Sequence, residues 1–174
     1  DELVTRKEVK KYFNKVKKIN PKNINLNDYK KIILSPGIPY NNYFIKKKYP
    51  KNKFKRDLNL YWDNKMNRKI IAITGTNGKS TTTKLIGNLF KKNKFPSFVG
   101  GNLGRPLLNS FLKKKTFKYH VIELSSFQLE FANDFNPNVS ILLNLSKDHL
   151  DRYKNYHDYI NQKKKIFSKN QPGY

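Results

Sequence analysis

Directly behind Gly78 the chain sets Lys79, Ser80 and Thr81, and an amphipathic helical pattern begins there with Thr82, Leu85, Ile86, Leu89 and Phe90. An ammonium, two hydroxyls and the first N–H groups of a helix can all converge on a polyphosphate. The helix start carries donors with no intrahelical acceptor and the positive end of the dipole. The preceding residues supply the approach: the apolar, β-branched run Ile70–Ile73 reads as a strand, and Gly75, Thr76, Asn77 and Gly78 as the turn out of it. Strand, loop and helix start thus follow in order, with Lys79 set to grip phosphates and Ser80 to offer a hydroxyl to Mg²⁺. The strict spacing G-x-x-x-x-G-K-[ST] would need glycine at Ile73, so this is a variant P-loop opening at Gly75. The competing reading is a plain turn between any strand and helix. Lys-Ser placed between a glycine and a helix start is hard to reach by accident.

Other polar residues fall where a strand ends. Val121-Ile122-Glu123-Leu124 leaves a carboxylate at a strand terminus, a position suited to Mg²⁺ beside a phosphate loop. Asp148 and His149 stand in the polar segment behind the apolar run Val139–Leu143. The second glycine turn, Gly100-Gly101-Asn102-Leu103-Gly104, reads either as a plain loop or, with Arg105-Pro106 opening a helix, as another anion-facing helix start. His120 and His157 have no such placement and read as structural.

These residues need a scaffold, and from Lys69 onward strand and helix patterns alternate. Strands are expected at Ile70–Thr74, Ser97–Val99, His120–Leu124 and Val139–Leu143, and helices at Ser80–Lys92, Pro106–Leu112 and Tyr156–Phe167. Short apolar strands separated by amphipathic helices predict an α/β fold with a mostly parallel sheet covered on both faces. Ligands then gather at the carboxyl ends of the strands, where all the residues above fall. Before Lys69 the sequence predicts a helix over 5–18, a loop at Asn20–Asn23 and a short strand at Ile32–Leu34. The turn Ser35-Pro36-Gly37-Ile38-Pro39 follows, then helices over Asn41–Tyr49 and Asp57–Trp62. The polar joint Asn64–Arg68 divides the chain into residues 1–62 and 63–174. The start at Asp1 without Met and the stop just behind a helix suggest that the native termini lie elsewhere.

The 174 residues suffice for one core and part of a second, and the absence of cysteine excludes disulfides and thiolate metal sites. Apolar runs are strand-sized, far short of a membrane span. A formal charge of +25, from 37 Lys+Arg against 12 Asp+Glu, suggests nucleic acid at first sight. The lysines are scattered over every segment, however, and accompany abundant Asn, Ile, Phe and Tyr. That is the residue set of A/T-rich codons, so no nucleic-acid surface is expected.

Five ordered blocks resemble the Mur ligases of peptidoglycan synthesis. They are Ser35–Pro39, Ile73–Thr82, Gly100–Pro106, Glu123–Glu130 and Asp148–Arg152. The Gly-Thr-Asn-Gly-Lys-Ser loop is common to the family, whereas the blocks at 35–39 and 123–130 resemble the branch that adds D-glutamate. The resemblance implies a P-loop-type central ATPase domain over 63–174, preceded by the remainder of a Rossmann-like UDP-binding domain over 1–62. The opening of the first domain and a third domain would lie outside these residues, and the piece alone would not ligate.

The resemblance further implies a cytoplasmic, monomeric, ATP- and Mg²⁺-dependent cell-wall ligase. Its substrates would be UDP-N-acetylmuramoyl-L-alanine and D-glutamate, joined through an acyl phosphate. Lys79 would match the lysine on the β/γ-phosphates, and Ser80 and Glu123 the Mg²⁺ ligands. His149 would match a residue at a second Mg²⁺ and the substrate, Asn102 the asparagine beside the reacting carboxylate, and Ser126 a substrate-holding serine. Ser35, Pro36 and Gly37 would contact the UDP moiety. Lys163 would match a lysine that reacts with CO₂ to give a carbamate supporting the second Mg²⁺, with Lys165 standing where the family has Arg. A solvated charge run at Lys163–Lys165 is the alternative there. For the whole chain the alternatives are another Mur-type or folylpolyglutamate-type amide ligase, or a nucleotide-binding module without ligase activity.

Overall fold

The computed structural model describes residues 25–40, 49–64, 67–102, 104–112 and 117–167. The helix expected over 5–18, the loop at 20–23, the chain end and, except for Tyr49, the helix over 41–49 lie outside the described residues. Among the described residues six short strands and five α-helices follow in chain order: β1 (Ile32–Ile33), β2 (Phe54–Lys55), α1 (Asp57–Asp63), β3 (Lys69–Thr74), α2 (Lys79–Lys92), β4 (Ser97–Gly101), α3 (Asn109–Leu112), β5 (Tyr119–Glu123), α4 (Ser126–Leu129), β6 (Val139–Leu142) and α5 (Tyr156–Lys164).

The α/β expectation holds. The larger sheet is four-stranded and parallel, ordered β4-β5-β3-β6, with Ile73 beside Glu123 on one side and Ile141 on the other. Because both faces are covered, the middles of its central strands are apolar: Ile70, Ala72, Ile73, Val121 and Ile122 are all buried. One cluster gathers Leu58 and Tyr61 of α1 with Ile70, Phe98, Ile122, Leu124 and Ile166. The helix on the N-terminal side of the 64–68 joint therefore packs into the central core.

The smaller sheet pairs β1 with β2 in parallel, and its core of Leu34, Tyr49 and Phe54 is completed by Phe131 from behind α4. Tyr40 packs edge-on against both Phe54 and Phe131, at 5.5 and 5.7 Å between ring centres. One aromatic side chain thus ties the 25–55 segment to the central unit.

Two expected elements differ. The buried face of α2 is Thr83 and Gly87, while Leu85 and Leu89, read as its apolar stripe, are more than half exposed. The cause is close approach to β4: a Cβ on Gly87 would lie 2.6 Å from Val99 Cγ2, so the helix lies flat on its smallest residues. The helix expected from Pro106 starts only at Asn109, so Gly104, Arg105 and Pro106 precede the helix instead of opening it. The reading of 104–106 as a second anion-facing helix start is therefore corrected.

Candidate active site

The phosphate-loop geometry follows from its glycines. Gly78 caps α2 in the left-handed region (φ +78°), which costs other residues about 1 kcal/mol or more. Its carbonyl accepts from Thr82 N–H at 3.0 Å, so the N–H groups of Lys79, Ser80 and Thr81 have no acceptor within the helix. Asn144, just beyond β6, clamps the loop from one side. Its carbonyl accepts from Thr76 N–H (3.0 Å), its Oδ1 from Asn77 N–H (2.9 Å), and its Nδ2 donates to Asn77 O (3.1 Å).

Helix α5 holds the loop from the other side. Tyr159 and Lys163, one turn apart, reach Thr76 Oγ1 (2.9 Å) and the Gly75 carbonyl (2.7 Å). Lys163 is only 2% exposed, while Lys164 beside it is exposed, so the run of lysines is not a uniformly solvated face. Burial first, and then the Lys79 ammonium, push the Lys163 amine down to about 8, against the pull of Asp148 and Glu123. Lys79 itself donates to Thr76 O at 2.8 Å.

Glu123 ends β5 almost fully buried, with one carboxylate oxygen accepting from Ser80 Oγ (2.8 Å) and the other from Asn102 Nδ2 (3.0 Å). The second glycine turn delivers Asn102: Gly101, at φ +112°, lets its backbone pass where a Cβ would be 2.2 Å from Glu123 O. Asn102 N–H then donates to that carbonyl at 2.8 Å. Glu123 and Ser80 are hard oxygen donors at the foot of the helix start. Among the described residues no group of three or more His, Cys, Asp or Glu could hold a metal. That donor set fits Mg²⁺, which takes one or two protein oxygens and completes its shell with water and phosphate, and not a caged ion.

The remaining expected residues divide. His149 stands half-exposed at φ +51°, a strained position for a non-glycine residue. Its ring lies 4.8 Å from that of Phe127 and 6.3 Å from that of Tyr159, and its Nε2 is 3.4 Å from Asp148 Oδ2, so it borders the loop. Ser126 is buried at the first position of α4. Ser35 and Gly37 lie exposed on their turn with Pro36 half-buried, held by arginines from elsewhere: Arg56 donates to Ser35 O (2.6 Å) and Arg152 to Gly37 O (3.0 Å).

His120 is structural, as read: fully buried, with Tyr61 at 2.8 Å. Sequence reasoning missed Asn144, Tyr159, Arg56 and the role of Glu130. Only Tyr159 carried a signal, standing one helical turn before Lys163.

Residues 73–174 match the family described as the Mur ligase middle domain. Proteins named "UDP-N-acetylmuramoylalanine--D-glutamate ligase" are similar to this chain. That of Wolbachia pipientis wMel is 41% identical over 91% of the chain and 31% of its own length. That of Rickettsia prowazekii (strain Madrid E) is 43% identical over 82% of the chain and 32% of its own. A third, from Trichlorobacter lovleyi, is 52% identical over 56% of the chain and 22% of its own. The chain thus spans a third or less of the length of these relatives. Among solved structures, that of UDP-N-acetylmuramate:L-alanyl-gamma-D-glutamyl-meso-diaminopimelate ligase from Neisseria meningitides aligns over 81% of this chain and 49% of its own. Its TM-score is 0.47 at 14% identity.

Proposed function

This chain belongs to the Mur ligase family, and from that premise we propose that it carries the ATP-binding centre of a ligase joining D-glutamate to UDP-N-acetylmuramoyl-L-alanine. The observation that carries the reading is the buried Glu123 carboxylate, bracketed by Ser80 and Asn102 at the foot of the α2 start. In the proposed first step a substrate carboxylate oxygen attacks the γ-phosphorus of ATP, the bond to the β-bridging oxygen breaks, and ADP leaves. In the second, the amine of D-glutamate attacks the acyl carbon, the carbon–oxygen bond to phosphate breaks, and the nitrogen loses a proton.

Both reactants of the first step are anions, so the protein must neutralise and align. The N–H groups of Lys79, Ser80 and Thr81 receive the phosphates, and Lys79 moves from Thr76 O to the β/γ oxygens. Ser80 and Glu123 would hold Mg²⁺, which supplies charge neutralisation when bound. Asn102 and His149 flank the reacting carboxylate, Ser126 supports the substrate from α4, and Ser35, Pro36 and Gly37 meet the UDP moiety. With its amine down at about 8, Lys163 is neutral in roughly a tenth of molecules at pH 7. That fraction can capture CO₂, and the carbamate would replace the bond to Gly75 O with a ligand for a second Mg²⁺.

No described helix is long and apolar enough to cross a membrane, and the reading places the protein in the cytoplasm as a monomer. The test is titration of Lys79→Ala with Mg·ATP and with UDP-N-acetylmuramoyl-L-alanine. Affinity for Mg·ATP should fall by about a hundredfold while that for the UDP substrate moves less than about threefold. A comparable loss for both ligands would overturn the assigned roles.

A further inference from the structure

Three sequence blocks that lie far apart in the chain meet at one carboxylate. Glu130, at the end of the α4 segment, accepts from Arg56 and, through both oxygens, from Arg152 at 2.9 and 3.0 Å. The two guanidinium groups then reach the Ser35–Ile38 turn. Arg56 donates to Ser35 O (2.6 Å) and Ile38 O (3.1 Å), and Arg152 to Gly37 O (3.0 Å). Arg56 is fully buried and Arg152 nearly so, which makes these bonds a built device and not a surface pair.

Arg152 also lies 4.1 Å over the ring of Phe127, which in turn packs against the His149 and Tyr153 rings. A continuous path of packed groups therefore runs from the turn through Glu130 to the edge of the ATP loop. With its carbonyls drawn onto the arginines, the turn can present its Ser35 hydroxyl to a ligand on its exposed side.

We propose that Glu130 is a positioning residue that fixes the Ser35–Ile38 turn against the central sheet and so sets the affinity for the UDP-bearing substrate without touching it. The proposal rests on the turn being that substrate's seat, as read above. Glu130 holds both arginines in the orientation their bonds to the turn require. Arg152 couples that orientation to Phe127 and His149, and the path stops at that edge, before the Lys79, Ser80 and Thr81 N–H groups that receive ATP.

The test compares the wild-type chain, Glu130→Gln and Arg152→Met in residue-resolved hydrogen exchange and in titrations with Mg·ATP and UDP-N-acetylmuramoyl-L-alanine. Arg152→Met leaves the Arg56–Glu130 pair in place and so guards against a Glu130 variant that fails to fold. In each folded variant, exchange between Ser35 and Tyr40 should rise about tenfold or more while β3 and α2 change less than about threefold. Affinity for the UDP substrate should fall about tenfold or more, and that for Mg·ATP less than about threefold. Unchanged exchange at the turn, or an equal rise in the turn and β3, would overturn the proposal. So would an undiminished UDP-substrate affinity in a variant whose turn has loosened. A wild-type chain that binds Mg·ATP but not the UDP substrate would instead overturn the reading of the turn as its seat, and the affinity clause with it.

Discussion

Two glycine-rich turns leave β3 and β4, the parallel strands on either side of β5, at the same end of the sheet, and they do opposite things. The turn at 75–78 runs into a fourteen-residue helix and leaves that helix's first N–H groups open to a ligand. The turn at 100–104 meets no helix for several residues and folds its backbone under Glu123, bringing Asn102 to the carboxylate. Glycine serves exposure in the first turn and close approach in the second. Composition alone does not separate the two jobs, because what differs is how soon a helix follows and the strand that lies alongside.

That contrast breaks most easily at Gly101. Its Cβ would sit 2.2 Å from the backbone oxygen of Glu123, with nothing flexible to yield, and its φ is positive as well. Gly101→Ala should cost about 3 kcal/mol or more in chemical denaturation.

A smaller effect comes from the second strand position of β5, toward the other end of the sheet. Burial first, and then the Arg68 guanidinium, hold the His120 imidazole down at about 4. Above pH 6.5 both folded and unfolded chains carry it neutral, so its contribution to stability is complete there. Between 6.5 and 4 the unfolded chain binds a proton that the folded chain refuses, and stability falls as pH falls. His120→Leu should flatten that part of the curve by up to about 1.4 kcal/mol per pH unit in parallel denaturation series. The smallest effect is expected at Gly104, where a Cβ meets nothing within 4 Å and only the φ of +59° opposes it. Gly104→Ala should cost about 1 kcal/mol, and a cost equal to that of Gly101→Ala would erase the distinction between strain and collision.

Much of the phosphate end was legible in the sequence because it is local. Strand, turn, lysine and helix follow without interruption, so Ile70 to Thr81 state their own geometry. Glu123 was legible for a related reason, standing where an apolar strand runs out. Lys163 was legible only through resemblance, since its burial depends on the α5 face turned to Gly75. The buried face of α2 was misread because Leu85 and Leu89 satisfy the helical period, while the approach of Val99 to Gly87 decides which face packs. Arg56, Glu130 and Arg152 were illegible as a group: they stand up to 96 positions apart (152 minus 56), and only tertiary contact unites them. Asn144 is similar, a polar residue behind a strand until its three bonds to the loop are seen.

The central claim is that the α2 start and the Glu123 carboxylate together form a seat for Mg·ATP. Calorimetric titration of the wild-type chain and of Glu123→Gln with ATP, with and without Mg²⁺, tests it directly. The wild type should bind about tenfold or more tightly with Mg²⁺ than without, and Glu123→Gln should lose about tenfold or more of the Mg·ATP affinity while its Mg²⁺-free nucleotide binding stays unchanged. Equal Mg·ATP affinity in the two proteins, or wild-type binding indifferent to Mg²⁺, would contradict the account.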